Sequence, residues 1–174
     1  MLVVAATERE LMRVEGADTL CCGVGPVEAA ARVGATLATR RPEAVLHVGI
    51  AGSRTVEPLT VVLGSIAVYE DFRTAFPVVD HVEPDEDLLA RARAWLPEAL
   101  VLPIGTSASV GGTARCEVEA MEGFGVLRAC ALAGVPAVEL RVVSNSPDEP
   151  DRVKWRIEDA LGVLAATLER LDVF

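Results

Sequence analysis

The sequence predicts an α/β fold, a three-layer α/β/α sandwich around a mainly parallel central sheet. Three observations predict it. Apolar runs of strand length alternate with helical patterns along all 174 residues, as in sheets built by crossover connections. Hydrophobic residues make up 51% of the chain but aromatics only 4%, so the core is Val, Leu and Ala. Such a core suits parallel strands covered by Ala-rich helices. The length fits a single domain spanning 1–174, with no internal repeat or linker, and can bury roughly 70% of the unfolded surface.

Each element is read from its own pattern. Leu2–Ala6 is a short apolar strand, and Glu8–Val14 a helical turn or more. Thr19–Val24 is a second strand, ending at Gly23-Val24-Gly25-Pro26, where Pro26 suits the first turn of a helix. That helix continues to Arg41, with Val27, Ala30, Ala31, Gly34 and Leu37 on one face. Ala44–Ile50 and Val61–Tyr69 are the third and fourth strands, and Pro84–Trp95 an exposed, charged helix. Leu100–Gly105 is the fifth strand, followed by a loop of small residues over Thr106–Thr113. Val118–Ala133 reads as a helix in which Gly123 and Gly125 allow close packing on the sheet. Pro136–Val143 is the sixth strand and Asn145–Pro150 a turn-rich loop. Arg152–Leu171 closes the chain as a long helix, with Trp155, Ile157, Leu161, Leu164 and Leu168 at helical spacing.

Charge excludes several functions. With 16 basic and 26 acidic residues the net charge is −10, which repels phosphate backbones and argues against a nucleic-acid partner. No run of 18 apolar residues exists, so no membrane span is expected. The opening MLVVAATERE lacks a basic region and reaches Glu8 too early for a signal peptide, so a cytoplasmic protein is expected. Cys21, Cys22, Cys116 and Cys130 form no C-x-x-C pair and read as buried free thiols. His47 and His81 are too few for a histidine-rich metal site, and His47 reads as a hydrogen-bonded core residue. Gly23-Val24-Gly25 lacks the third glycine of a dinucleotide fingerprint, because Glu28 stands there and would oppose a pyrophosphate. Ser53 and Ser107 show no nucleophile-elbow pattern.

In α/β sheets ligands bind beyond the carboxyl ends of strands. Those ends carry Thr7-Glu8-Arg9-Glu10, Gly49-Ile50-Ala51-Gly52 and Arg141-Val142-Val143-Ser144-Asn145, with Met121-Glu122-Gly123 in the helix predicted over Val118–Ala133. Taken singly, each has an ordinary structural reading. Taken in order, A-A-T-E-R-E at 5–10, G-V-G-P-V-E-A-A at 23–30, V-G-I-A-G at 48–52, M-E-G at 121–123 and R-V-V-S-N at 141–145 resemble the purine nucleosidase and phosphorylase superfamily. The likeness is greatest to its hydrolytic branch, the futalosine hydrolases and the methylthioadenosine/S-adenosylhomocysteine nucleosidases. It implies a nucleoside phosphorylase-like fold.

The resemblance also implies roles. Glu10 matches the carboxylate that activates the attacking water, and Met121 the residue packed on the ribose. Glu122 matches the acceptor of ribose hydroxyls. Ser144 and Asn145 match the pair at the purine, and Arg141 an arginine bracing that corner. Gly49, Ile50 and Ala51 belong to the substrate-binding strand end. Glu8 and Glu10 would repel phosphate, so water is the expected nucleophile. Asn145 stands where the methylthioadenosine enzymes carry Asp. An amide donates to N7 or O6 of a 6-oxo purine, which favours hypoxanthine over adenine.

The implied activity is therefore hydrolysis of futalosine to hypoxanthine and dehypoxanthine futalosine, a step of menaquinone synthesis by the futalosine route. An adenine-releasing methylthioadenosine/S-adenosylhomocysteine nucleosidase is the alternative, and a nucleoside-binding relative without turnover the third reading. No metal or organic cofactor is implied, and the partners expected are a small-molecule purine nucleoside and further copies of the chain. Phe72 and Phe124 are the candidates for stacking on the purine. Arg54, Arg73 and Arg115 are the candidates for pairing with the carboxylate of futalosine.

Overall fold

A computed structural model describes residues 1–12, 14, 16–72 and 74–170. Its strands are β1 (Leu2–Ala5), β2 (Asp18–Cys21), β3 (Val45–Ser53), β4 (Val61–Tyr69), β5 (His81–Val82), β6 (Leu100–Thr106), β7 (Val118–Ala120) and β8 (Ala137–Asn145). Its helices are α1 (Glu8–Leu11), α2 (Pro26–Thr39), α3 (Glu86–Trp95), α4 (Gly123–Ala133) and α5 (Ile157–Arg170).

The three layers are present. Val3, Leu46, Val48, Leu140 and Val142 face one side of the sheet and pack with Leu88 and Ala92 of α3 and Leu164 and Leu168 of α5. Leu2, Val4 and Val45 face the other, against Val33 and Leu37 of α2 and Val126, Leu127 and Cys130 of α4. Alternating residues of one strand thus feed two different cores, which is why β1 reads as a continuous apolar run.

Five of the eight strand pairings among the described residues are parallel and three antiparallel. The sheet is therefore mixed, and it curls. The nine-residue β3 pairs along one edge with β8 and on its other edge passes from β1 at Val45–His47 to β7 at Gly52–Ser53. β8 pairs β4, β4 pairs β6, and β6 pairs β7, so five strands close on themselves as a small barrel. Ala51, Val62, Ile104, Val118, Ala120 and Val143 fill its interior. A register shift between Ala51 and Gly52 bends the end of β3 and sets Gly52 opposite Asn145.

Three expected elements differ. Val118–Ala120 is a strand, not the start of a helix, because pairing with β3 and β6 overrides the local apolar pattern. Glu122 consequently stands as the N-cap of α4 rather than inside a helix. The closing helix starts only at Ile157; Arg152–Lys154 forms one 3₁₀ turn, started by the Asp151 side chain accepting from the Val153 N–H, and Trp155 lies outside any helix. The helix expected over Glu8–Val14 ends at Leu11. Leu171 lies outside the described residues. No helix among the described residues is long and apolar enough to cross a membrane.

Candidate active site

The carboxyl ends of β1, β3 and β8 and the β7–α4 junction converge on a cavity of about 290 Å³. Glu10, Ile50, Ala51, Met121, Glu122, Ser144 and Asn145 all line it. Gly49 and Arg141 stand just behind its wall, for a Cβ on Gly49 would lie 2.3 Å from Arg141 Nη1 and 2.6 Å from Glu10 Oε1. Glu10, Gly49, Ile50, Ala51, Met121, Glu122, Arg141, Ser144 and Asn145 therefore all fall in or against one cavity.

Glu10 is buried and its carboxylate is fixed by three donors. Oε2 accepts from the Thr7 N–H (2.9 Å) and the Thr7 hydroxyl (2.8 Å). This is the carboxylate half of a capping box at the start of α1. Oε1 accepts from the Ile50 N–H (3.1 Å) at the end of β3. A carboxylate oxygen offers about two lone pairs. Oε2 is thus filled, and Oε1 has room for one more donor.

Glu122 is held from the opposite side. Gly25 N–H donates to its Oε1 (3.0 Å), and Arg141 Nη2 lies 3.5 Å from Oε2. Gly25 reaches it from the β2–α2 turn with φ +92°, a left-handed conformation that a side chain would resist. The glycine-rich turn that resembles a phosphate loop therefore carries a backbone donor to a carboxylate.

Arg141 lies fully buried behind both glutamates. Its Nε donates to Glu139 Oε1 (2.8 Å), and Nη2 donates to His47 Nε2. His47 Nδ1 in turn donates to the Val4 carbonyl (3.0 Å), so the ring is neutral with its lone pair on Nε2. Burial, then the facing guanidinium, holds His47 well below the usual histidine range. Burial alone would weaken the Arg141 charge, but Glu139, Glu122 and Glu10 outweigh it and raise its pKa. Burial likewise pushes the Glu139 carboxyl up against the pull of Arg141. One fixed cation thus sits among three carboxyl groups behind the cavity wall.

Ser144 Oγ lies 3.1 Å from the Ala51 carbonyl and 2.8 Å from Asn145 Oδ1. The hydroxyl's one proton serves one of these two acceptors at a time, and the amide carries its Nδ2–H₂ donors beside Gly52.

The expected aromatic and cationic groups are placed otherwise. Phe124 stacks on Tyr69 with centroids 5.1 Å apart, Phe72 meets the same ring edge-on at 5.6 Å, and neither lines the cavity. Phe124 instead lines a separate apolar groove between α2 and α4. Trp155 is the aromatic ring in the cavity wall. Arg54 is tied to Asp148 (3.1 Å) and Arg115 to Asp80 (2.7 Å) and Glu70 (3.4 Å), both outside the cavity lining. Arg73 lies outside the described residues. Burial pushes the thiols of Cys22, Cys116 and Cys130 up to about 12, so they stay protonated and inert.

Two lining groups carried no expectation. Glu119, in β7 two residues before Met121, accepts from the Gly111 N–H (2.7 Å) and the Thr113 hydroxyl (2.7 Å) and so ties the 106–116 loop to the cavity. Thr7 positions Glu10, and its signal was present as the T-x-x-E spacing of a capping box.

A fold that closes a small barrel beside paired carboxylates defines a class. The chain belongs to the phosphorylase superfamily, whose profile matches residues 19–120. At closer range it is similar to the futalosine hydrolase of Streptomyces coelicolor, 34% identical over 190 residues, covering 90% of this chain and 79% of that protein. Solved structures share the fold. A futalosine hydrolase mutant of Helicobacter pylori superposes with TM-score 0.87 at 18% identity, covering 98% of this chain and 96% of that one. The S-adenosylhomocysteine nucleosidase of Streptococcus pyogenes, in complex with 5-methylthiotubericidin, gives 0.83 at 18% identity, covering 97% and 94%.

Proposed function

We propose that this chain hydrolyses the N-glycosidic bond of futalosine and releases hypoxanthine. The observation that carries the reading is the Glu10 carboxylate, immobilised through Thr7 and Ile50 in the wall of the cavity. A base held so rigidly takes a proton from water without reorganising.

The C1′–N9 bond breaks and its electron pair leaves with the purine. The ribosyl group becomes oxocarbenium-like, and the excess negative charge of Glu10 and Glu122 stabilises it. Glu122 accepts the ribose hydroxyls and Met121 packs on the ring. The water oxygen bonds to C1′ while its proton passes to Glu10 Oε1. Asn145 Nδ2 donates a hydrogen bond to the purine, spreading the charge that develops there; the departing purine anion takes a proton from solvent water, and Glu10 returns its proton to solvent. Arg141 braces the cluster through its bond to Glu139 and its approach to Glu122. No cofactor takes part.

The base preference follows from the amide. Its Nδ2 carries two N–H donors, which suit the acceptor N7 and O6 of hypoxanthine. A mismatched buried pair costs about 1–3 kcal/mol, about tenfold or more in rate. Offering futalosine and methylthioadenosine in parallel tests this. Hypoxanthine release faster by tenfold or more is expected, and equal or faster adenine release refutes the preference. Binding of either nucleoside without turnover, unchanged in Glu10→Ala, refutes catalysis altogether. The reading includes a cytoplasmic location, a place in menaquinone synthesis, and assembly into a homodimer or larger, the last open to sedimentation velocity.

A further inference from the structure

Glu119 lines the cavity, yet the reaction above gives it no part. Its neighbours in β7, Val118 and Ala120, fill the barrel interior, so alternation along the strand turns Glu119 out toward the site. There it is buried, and both its oxygens bond the loop between β6 and β7: Oε1 the Gly111 N–H, Oε2 the Thr113 hydroxyl. Arg54 compensates the charge. Its Nη1 lies 3.8 Å from Glu119 Oε2 and donates to the Thr113 carbonyl (3.4 Å), while its Nε donates to Asp148 (3.1 Å).

The two ends of the loop are held by residues outside the cavity lining. Ser107 Oγ and the Ala108 N–H donate to Asp71 (2.7 and 2.8 Å), and the Arg115 N–H donates to Glu70 (3.0 Å). Between them lies the crown Ser109-Val110-Gly111-Gly112, whose one large side chain is Val110. Val110 lines the cavity and is 48% exposed. The crown stands at the Asn145 end. A Cβ on Gly52 would lie 3.3 Å from Glu119 Cγ and 3.4 Å from Asn145 Nδ2, and one on Gly111 would lie 3.9 Å from the Pro147 carbonyl oxygen.

We propose that Glu119 is a positioning residue: it holds the 106–116 loop against the Asn145 end of the cavity, so that Val110 covers the purine. This rests on the placement of the purine at Asn145 proposed above. Glycine loses more backbone freedom on ordering than any other residue, so a crown with Gly111 and Gly112 stays in place only if something binds it. The buried carboxylate does so with two charge-assisted bonds, and Arg54 extends the hold to Asp148, three residues beyond Asn145. Glu10 has its own anchors in Thr7 and Ile50, so Glu119 acts on binding of the base rather than on the attack.

The test measures kcat and KM for futalosine, and the binding of hypoxanthine alone by calorimetry, in Glu119→Leu, Val110→Gly and the double variant. Each single variant is expected to raise KM about tenfold and to weaken hypoxanthine by the same factor, with kcat within about threefold, because binding is lost evenly from ground and transition states. The double variant is expected to be no worse than the poorer single one, since both changes remove the same contact. The amide of Glu119→Gln accepts from the Gly111 N–H and donates to the Thr113 hydroxyl, so KM is expected to return to within about threefold of wild type. Where Glu119→Leu fails to fold, Thr113→Val removes one of the two bonds from the side of the loop and raises KM in its place. KM and hypoxanthine binding unaltered in Glu119→Leu or Thr113→Val overturn this inference alone. Multiplying effects in the double variant also overturn it, for they place Glu119 on the purine itself. A wild-type protein that neither hydrolyses futalosine nor binds hypoxanthine overturns the functional reading together with it.

Discussion

Gly49→Ala puts one methyl group where the site has no room. The added carbon would lie 2.3 Å from Arg141 Nη1 and 2.6 Å from Glu10 Oε1. Ordinary contact is about 3.5 Å, so each neighbour must retreat by about 1 Å. Arg141 has little freedom, being bonded to Glu139, His47 and Glu122. Glu10 is the side chain that gives way. A 1 Å misplacement of a catalytic group lowers rate by about 10²-fold. The overpacking destabilises by about 1–3 kcal/mol, a fall in Tm of about 2–12 °C for a chain of this size. The assay is steady-state hypoxanthine release alongside thermal unfolding. Gly34→Ala is the control, since a Cβ there meets nothing within 4 Å and a helix favours alanine. If Gly49→Ala retains kcat within twofold while Gly34→Ala behaves the same, the packed Gly49–Glu10–Arg141 contact does not position the base.

The other predictions concern single groups. Glu10→Gln keeps the side-chain shape but loses the proton acceptor, and kcat is expected to fall about 10²–10⁴-fold with little change in Tm. Asn145→Asp is expected to raise adenine-nucleoside hydrolysis relative to futalosine, read from the two product rates; no rise contradicts the amide argument. Arg141→Met leaves Glu139 buried without its cation and is expected to destabilise by about 3–5 kcal/mol in denaturant unfolding. His47 links stability to pH. Its folded pKa lies well below the ordinary 6.5, so the unfolded chain binds a proton that the folded chain refuses. Its contribution is full above pH 6.5 and is lost as pH falls below it, with a slope of at most about 1.4 kcal/mol per pH unit. His47→Gln flattens that slope in unfolding curves measured between pH 7 and 5.

Much of this molecule was legible from local pattern. The strands bearing Leu2–Ala5, Val45–Ser53 and Ala137–Asn145 carry apolar runs because both faces are covered. The site motifs were legible because each sits at a strand end, where the fold gathers them. Ring closure was not, since it depends on β7 finding β3 and β6, and three residues of strand inside an apolar stretch read as helix. Trp155 reads as part of the helical run of Ile157, Leu161 and Leu164, but the 3₁₀ turn before it cuts it off, and its Nε1–H donates to the Glu149 carbonyl (3.0 Å). Glu139 and His47 gained meaning only with Arg141, a buried cluster assembled from two strands 90 or more positions apart. Phe72 and Phe124 were reasonable by residue type, but Tyr69 holds both in a separate aromatic cluster.

The central claim is that Glu10 directs water, not phosphate, at a hypoxanthine nucleoside. It is tested most directly by incubating the purified protein with futalosine in phosphate-free ¹⁸O-labelled water. Release of hypoxanthine, with the label in the anomeric hydroxyl of the ribosyl product and no gain in rate on adding phosphate, is the predicted result. Absence of hypoxanthine, or its release only with phosphate and as a ribosyl phosphate, would contradict it.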